Sequence, residues 1–259
     1  MLRGLVTALR TLTAVRIPGR DAESLADSLP WFPVVGGLIG VTLVLAARLS
    51  LSASQSWTDG ASVVTLAVGV LLTRALHLDG LADWADGFGG SRNRERVLEI
   101  MKDPRTGTFG VISLIVILLA KLIGYSRIIS AGSFHWMISA CIVSRAIQVE
   151  LAASLPYART GGGTAQSFVS GAREWHRISS AAAALLLAAV CSGVAGTLLV
   201  ACGWIAARVL ATWFRRRVGG ITGDLLGASS ELVETGILLV CAATDLWLSR
   251  LTIWSAPWH

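Results

Sequence analysis

The chain has 259 residues, of which 54% are hydrophobic and 15% charged, and its mean hydropathy is +0.66. These values exclude an ordinary soluble domain, and several apolar runs approach or exceed the ~20 residues that cross a bilayer as a helix. The net charge of +6 does not indicate nucleic-acid binding, because basic loops are the usual mark of the cytoplasmic side of a membrane protein. The predicted fold class is an all-α, polytopic transmembrane helical bundle.

Residues 1–30 are predicted to form an interfacial helix and a linker. The helix is indicated by apolar residues at helical spacing, namely Leu2, Leu5, Val6, Leu9 and Leu12. Arg16-Ile17-Pro18 ends this helix. Proline at Pro33 and the neighbouring aromatic residues then predict the start of the first span.

About seven membrane spans are predicted. They cover residues 34–51, 61–76, 109–129, 136–155, two spans within 178–214 divided near Ser192-Gly193, and 232–251. Glycines at Gly36, Gly37 and Gly40 in the first span favour close helix approach. The same property would permit a homo-oligomer.

The basic clusters predict the orientation of the chain. They lie at the N-terminus and at 92–105, 159–177 and 215–217, whereas the opposite loops contain no Lys or Arg. The positive-inside rule therefore puts the N-terminus in the cytoplasm. We treat residues 1–259 as one membrane domain in which 77–108 forms a cytoplasmic acidic and phosphate-binding region.

Three aspartates lie close together in residues 77–90, although acidic residues are scarce in this chain. Asp79, Asp83 and Asp86 fall within roughly 60° of one face of a helix. Like charges on one face repel each other, and carboxylate oxygens suit a hard divalent ion. The pattern predicts an Mg²⁺ site; the alternative is a solvated acidic helix end that interacts with the helix dipole.

A turn rich in glycine and threonine, residues 102–110, precedes the third span. Backbone N–H groups at the start of a helix, with Lys102 and Arg105 nearby, could bind phosphate, and Asp103, Thr106 and Gly107 lie in the same turn. The alternative is a basic loop with a helix cap. No Walker A pattern is present.

A second glycine turn, residues 219–224, includes Gly223 and Asp224 and is followed by Glu231. Asp224 or Glu231 could complete a metal shell or orient a nucleophile. Arg145, inside the fourth span, is a candidate for binding an anionic substrate or for an ion pair within the bundle. His77 is a candidate base or ligand, or a hydrogen-bonded structural residue.

A metal site beside two turns that could bind phosphate fits the transfer of a phosphorylated group. Two other functional hypotheses stay open. A CDP-alcohol phosphotransferase also uses clustered aspartates in a membrane bundle, but here Asp83-x-x-Asp86-Gly87 is followed by Gly90-Ser91 where that family has Ala-Arg. A cation-coupled transporter is disfavoured because the carboxylates lie at one face and no inverted repeat is evident.

Three segments carry a resemblance to a known family: residues 77–87 (HLDGLADWADG), 98–108 (LEIMKDPRTGT) and 219–231 (GGITGDLLGASSE). In order and spacing they resemble the cobalamin synthase, or adenosylcobinamide-GDP ribazoletransferase, family. The likeness extends over nearly the whole chain.

The resemblance implies a multi-pass, Mg²⁺-dependent transferase in the bacterial inner membrane, surrounded by lipid. It implies that adenosylcobinamide-GDP reacts with α-ribazole or its 5′-phosphate, that GMP is released, and that nucleic acid plays no part. It also implies that Lys102, Asp103, Arg105 and Thr106 lie near the guanylyl phosphates, with Asp224 opposite.

Overall fold

The computed structural model describes residues 2–54 and 56–248, with side chains up to residue 244. The described part is helical, and its one β-bridge joins Tyr157 to Ile221. A 3-10 helix, Leu25–Trp31, follows the first α-helix. The α-helices are α1 Leu2–Leu12, α2 Phe32–Ala53, α3 Thr58–Thr73, α4 Leu76–Gly90, α5 Arg94–Ile100, α6 Thr108–Ser130, α7 His135–Ser154, α8 Gln166–Gly171, α9 Glu174–Val218 and α10 Gly223–Leu248.

The all-α, multi-pass class predicted from the sequence is confirmed. Five of the described helices are long and apolar enough to cross a membrane, and the bent pair α3–α4 raises this number to six. The sequence predicts about seven. The difference lies in 178–214, which we divided into two spans and which belongs to the single 45-residue helix α9.

Helix α9 nevertheless turns back on itself where the sequence predicts a division. Ser192 and Gly193 have non-helical backbone angles, with Gly193 at a φ of 59°. Gly196 lies directly against the carbonyl group of Ala188, eight residues earlier. In a continuous helix those residues would be ~12 Å apart, so the two arms of α9 form a tight hairpin.

Helix α7 is the centre of the bundle and the most buried candidate span. It packs against α2, α9 and α10. Gly36 lies against the Cys141 backbone, and a Cβ added at Gly40 would lie 2.6 Å from the Cα of Ile138. The predicted close approach of the first span is therefore confirmed at these two glycines.

The acidic helix α4 leaves α3 at an angle of 87°. Arg74 and Ala75, between the two helices, both have left-handed backbone angles, which end α3 and redirect the chain. The redirected helix packs against α6 and α10. A Cβ added at Gly80 would lie 2.7 Å from the Asp224 carbonyl oxygen, so α4 and α10 are almost in backbone contact.

The start of the last helix differs from its prediction. We expected a turn at 219–224 and a span from about residue 232, but α10 begins at Gly223. The Thr222 hydroxyl accepts a hydrogen bond from Leu225 N at 3.3 Å and starts the helix. The small residues that follow let α10 pack closely on α4. The predicted end of this span, residues 249–251, lies outside the described residues, as does the chain beyond it.

Two of the basic clusters meet at one end of the bundle. Arg217 donates hydrogen bonds to the carbonyl groups of Phe88 (3.1 Å) and Ser91 (2.8 Å). The Arg94 guanidinium lies against Gly219, which ends α9 with a φ of 78°. The end of α4, the start of α5 and the turn before α10 are thereby held together.

Candidate functional site

A cavity of about 360 Å³ opens where α4 and α10 begin. Thr11 and Leu12 of α1 form one wall of it, so the N-terminal helix predicted to lie at the membrane surface also covers this cavity. Phe32, Ala152 and Phe168 contribute apolar surface. The polar side of the lining includes Arg74, His77, Asp79, Gln148, Thr164 and Asp224.

Three carboxylates lie close together beside this cavity. Asp79 and Asp224 line it, and the charges of both act on Asp83, one turn further along α4. The described residues give neither Asp79 nor Asp83 a hydrogen bond or an ion pair through its side chain. Asp224 is bound by Arg159 at 2.6 Å. We call Asp79, Asp83 and Asp224 the carboxylate cluster; it carries more negative charge than Arg159 balances.

Asp86, the third aspartate of the predicted metal face, is engaged in a different way. Its two carboxylate oxygens accept hydrogen bonds from Gly107 N (2.7 Å) and Gly110 N (2.8 Å) at the start of α6. Asp86 thus supplies the anion that a helix N-terminus favours. The backbone groups of Gly107 and Gly110, which we expected to bind phosphate, are therefore occupied by a side chain of the same chain.

The remainder of the 102–110 turn is exposed. Arg105 binds both oxygens of Asp103, at 3.0 and 2.8 Å, and its side chain is 87% exposed. These hydrogen bonds lower the pKa of the Asp103 carboxyl to about 2. Lys102 extends away from this pair toward Gly161. Neither Asp103 nor Arg105 lines the cavity, and Thr106 is exposed as well.

His77 is buried and held by Gln148. The Gln148 amide nitrogen lies 2.9 Å from His77 Nε2 and 3.4 Å from the Leu226 carbonyl oxygen. An amide that donates to both leaves the imidazole proton on Nδ1, which has no partner among the described residues. His77 therefore carries a buried N–H without a partner in the described residues, on a side chain that lines the cavity.

Arg145 and Glu231 lie away from the cavity, in a second group of charges that we call the buried ion network. Lys121 binds Glu231 at 2.6 Å and Glu234 at 2.7 Å, and Arg145 also binds Glu234. All four side chains are at most 8% exposed. For Arg145 the structure shows the ion pair that the sequence offered as an alternative, and it puts Glu231 in the same network.

Two residues of the site, Arg159 and Gln148, were not singled out in the sequence. Arg159 belongs to a polar loop whose several basic residues looked alike, and its partner Asp224 is 65 residues away. Gln148 lies in an apolar span and contacts His77 across 71 residues. No local signal distinguishes either residue, because both act through long-range contacts.

Among the described side chains of residues 2–54 and 56–244, no three His, Cys, Asp or Glu residues are arranged as a ready-made metal site. Magnesium commonly uses one or two carboxylates together with substrate phosphates and water. The unpartnered carboxylates of Asp79 and Asp83, with Asp224 opposite, supply suitable oxygen donors. The donor set therefore fits Mg²⁺ that arrives with a phosphorylated substrate.

Fold and site define a class: a multi-pass helical membrane protein with excess carboxylate charge beside a cavity at one end of its bundle. A model of the cobalamin-5-phosphate synthase family matches residues 4–242. The chain belongs to that family.

Relatives of similar length extend the match over almost the whole chain. An adenosylcobinamide-GDP ribazoletransferase of Chlorobaculum parvum is 47% identical over 254 residues, 97% of this chain and 98% of the relative. One of the same name from Chlorobaculum tepidum is 46% identical with the same coverage. Another from Syntrophobacter fumaroxidans is 39% identical over 249 residues, 93% of this chain and 98% of the relative. No solved structure matches the chain.

Proposed function

We propose that this chain performs the last assembly step of adenosylcobalamin. It transfers the cobinamide phosphate group of adenosylcobinamide-GDP to α-ribazole or its 5′-phosphate. The ribazole hydroxyl oxygen forms a bond to the phosphorus that carries cobinamide. The bond from that phosphorus to the bridging oxygen breaks, and GMP leaves with this oxygen.

The observation that carries the proposal is the position of the carboxylate cluster beside a cavity lined by His77. It is supported by family membership and by relatives whose names state this reaction. Phosphoryl transfer depends mainly on positioning and on neutralising charge, and this part of the molecule offers groups for both.

Each residue of the site has its own role in the proposed reaction. Asp79 and Asp83 would hold Mg²⁺, which would neutralise phosphate charge when bound. Asp224 accepts the proton of the attacking hydroxyl, because it lines the cavity and, within the described residues, only its Oδ2 is engaged, by Arg159. The Nδ1–H of His77 donates to a phosphate oxygen, and Gln148 holds the imidazole in that orientation.

The location of the reaction follows from the same proposal. The basic end of the bundle lies on the cytoplasmic side of a bacterial inner membrane, in agreement with the positive-inside rule. This end carries Arg94, Arg159 and Arg217. The lipid bilayer contacts the apolar sides of α2, α6 and α9, where many large side chains are exposed. A homo-oligomer is compatible with these faces.

The deciding measurement is GMP release by purified protein in detergent or lipid, given adenosylcobinamide-GDP and α-ribazole. We expect GMP and cobalamin in equal amounts with Mg²⁺ and neither with EDTA. Comparing ribazole with its phosphate identifies the preferred acceptor. Release of CMP from a CDP-alcohol, with no GMP released from adenosylcobinamide-GDP and α-ribazole, would instead identify the chain as a CDP-alcohol phosphotransferase.

A further inference from the structure

A groove of about 470 Å³ lies outside the cavity, between α5 and residues 158–161. Its volume falls in the range of small-ligand sites. Its charged lining is mixed, with cations from Arg94, Lys102 and Arg159 and carboxylates from Glu95 and Glu99. No residue of this groove belongs to the carboxylate cluster.

Arg159 connects the groove to the site of the proposed reaction. It lines the groove, binds Asp224 at 2.6 Å and donates to the Met101 carbonyl at 3.1 Å. Its Nε is buried and has no partner among the described residues. A phosphate group bound at this end of the groove would therefore lie next to the carboxylate cluster.

Lys102 adds a second cation at the same end. Its Nζ would lie 3.6 Å from a Cβ added at Gly161, so the side chain reaches across to the loop that carries Arg159. No ion pair engages its ammonium group within the described chain. Two cations on facing walls suit a phosphate, which accepts hydrogen bonds from both sides.

The other end of the groove carries an unpaired carboxylate. Glu99 is bound by Arg96 at 2.7 Å, whereas Glu95 has no side-chain partner in the described part of the chain. Glu95 lies in the first turn of α5 and Lys102 two residues beyond its end, so the length of this helix, roughly 10 Å, separates them, comparable to the length of a nucleoside monophosphate. A carboxylate accepts two hydrogen bonds from N1–H and N2–H₂ of guanine, and adenine lacks both donors.

We infer that this groove binds the guanosine monophosphate half of the substrate, with Lys102 and Arg159 on its phosphate and Glu95 on the guanine base. The inference rests on the proposed function and adds to it a binding site and the residue that selects the base. GMP formed in the reaction would leave through the same groove.

The test is equilibrium binding of GMP and AMP to the full chain in detergent, free of the other substrates. We expect wild-type protein to prefer GMP. Glu95→Gln should reduce that preference about ten-fold, as expected for the loss of a two-bond base contact. Lys102→Gln should weaken GMP and AMP by a similar factor, because it touches only phosphate.

Glu174→Gln is the matched control, since it removes the same charge from the first turn of another helix, outside the groove, where Arg177 binds the carboxylate. It should keep the wild-type preference. An unchanged preference in Glu95→Gln, or unchanged GMP binding in Lys102→Gln, would overturn the inference even if the enzyme releases GMP normally. Base-selective binding without turnover would instead refute the proposed function and leave the groove assignment intact. Each variant's thermal unfolding curve checks that it is folded.

Discussion

The molecule contains two groups of charged residues that differ in how their charge is balanced. In the buried ion network, two cations and two carboxylates bind one another with almost no exposure. In the carboxylate cluster, Arg159 forms the one ion pair that the described residues show, with Asp224, and Asp79 and Asp224 line a cavity. A balanced group of this kind is complete within the fold, whereas excess negative charge is relieved by protons or by a cation from outside. We therefore expect a structural role for the first group and a chemical role for the second.

The largest expected effect comes from breaking the buried ion network. Arg145→Met leaves Glu234 with only Lys121, which Glu231 also binds, and should lower the free energy of unfolding by about 3–5 kcal/mol. The double variant Arg145→Met/Glu234→Met retains the Lys121–Glu231 pair and should recover much of this loss. Denaturant unfolding in detergent measures both. A single variant as stable as wild type would show that the network is not structural.

Next in size is the loss of a carboxylate from the cluster. Asp83→Asn removes charge but little volume, so the protein should stay folded and inserted while GMP release falls about 100-fold or more. Asp59→Asn, in the first turn of α3, serves as the control and should keep wild-type activity. Normal turnover in Asp83→Asn would show that the reaction does not need this carboxylate.

Asp86 should behave unlike its neighbour on α4. Asp86→Asn presents an NH₂ group to one of the two backbone donors at the start of α6, which should cost about 1–3 kcal/mol of stability. Hydrogen exchange at Gly107 and Gly110 should rise in the same variant. If stability were unchanged and the Mg²⁺ dependence of turnover were lost, Asp86 would instead be a metal ligand, as its position in the sequence predicts.

The smallest effect is expected at the exposed pair in the 102–110 turn. The pKa of Asp103 is lowered to about 2, so the pair does not titrate in the neutral range, and Asp103→Asn should leave the pH profile of turnover unchanged. Arg105→Gln should raise KM for adenosylcobinamide-GDP by a few-fold at most. A large rise in KM would mean that Arg105 leaves Asp103 and binds the phosphates, as the family resemblance implies.

Local pattern predicted the helices well. The apolar runs give α2, α6 and α7 with ends within two residues of their predicted positions, because span length and flanking residues are local properties. The division near Ser192-Gly193 was also visible, because a run of that length exceeds one bilayer crossing. The start of α10 was missed because its first two turns are not apolar enough to read as a span; their small residues pack on α4 instead.

The site was predicted less completely than the fold. Periodicity correctly put Asp79, Asp83 and Asp86 on one helix, but it could not show that Asp86 faces the start of α6. Neither could it show that Arg159 reaches Asp224, nor that Glu234 joins Arg145 to Lys121. Each of these pairs is separated by more than 20 residues along the chain.

The sequence by itself determined the membrane class, most of the helices, the clustering of aspartates on α4 and the family. These follow from composition, from spacing along a helix and from motifs, all of which are local. Only the tertiary structure decided which charges are paired and which remain available to a substrate. Pairing depends on side chains that distant segments of the chain bring together. In a medium of low dielectric constant, paired charges form a stable ion network, whereas unpaired charges remain available for reaction.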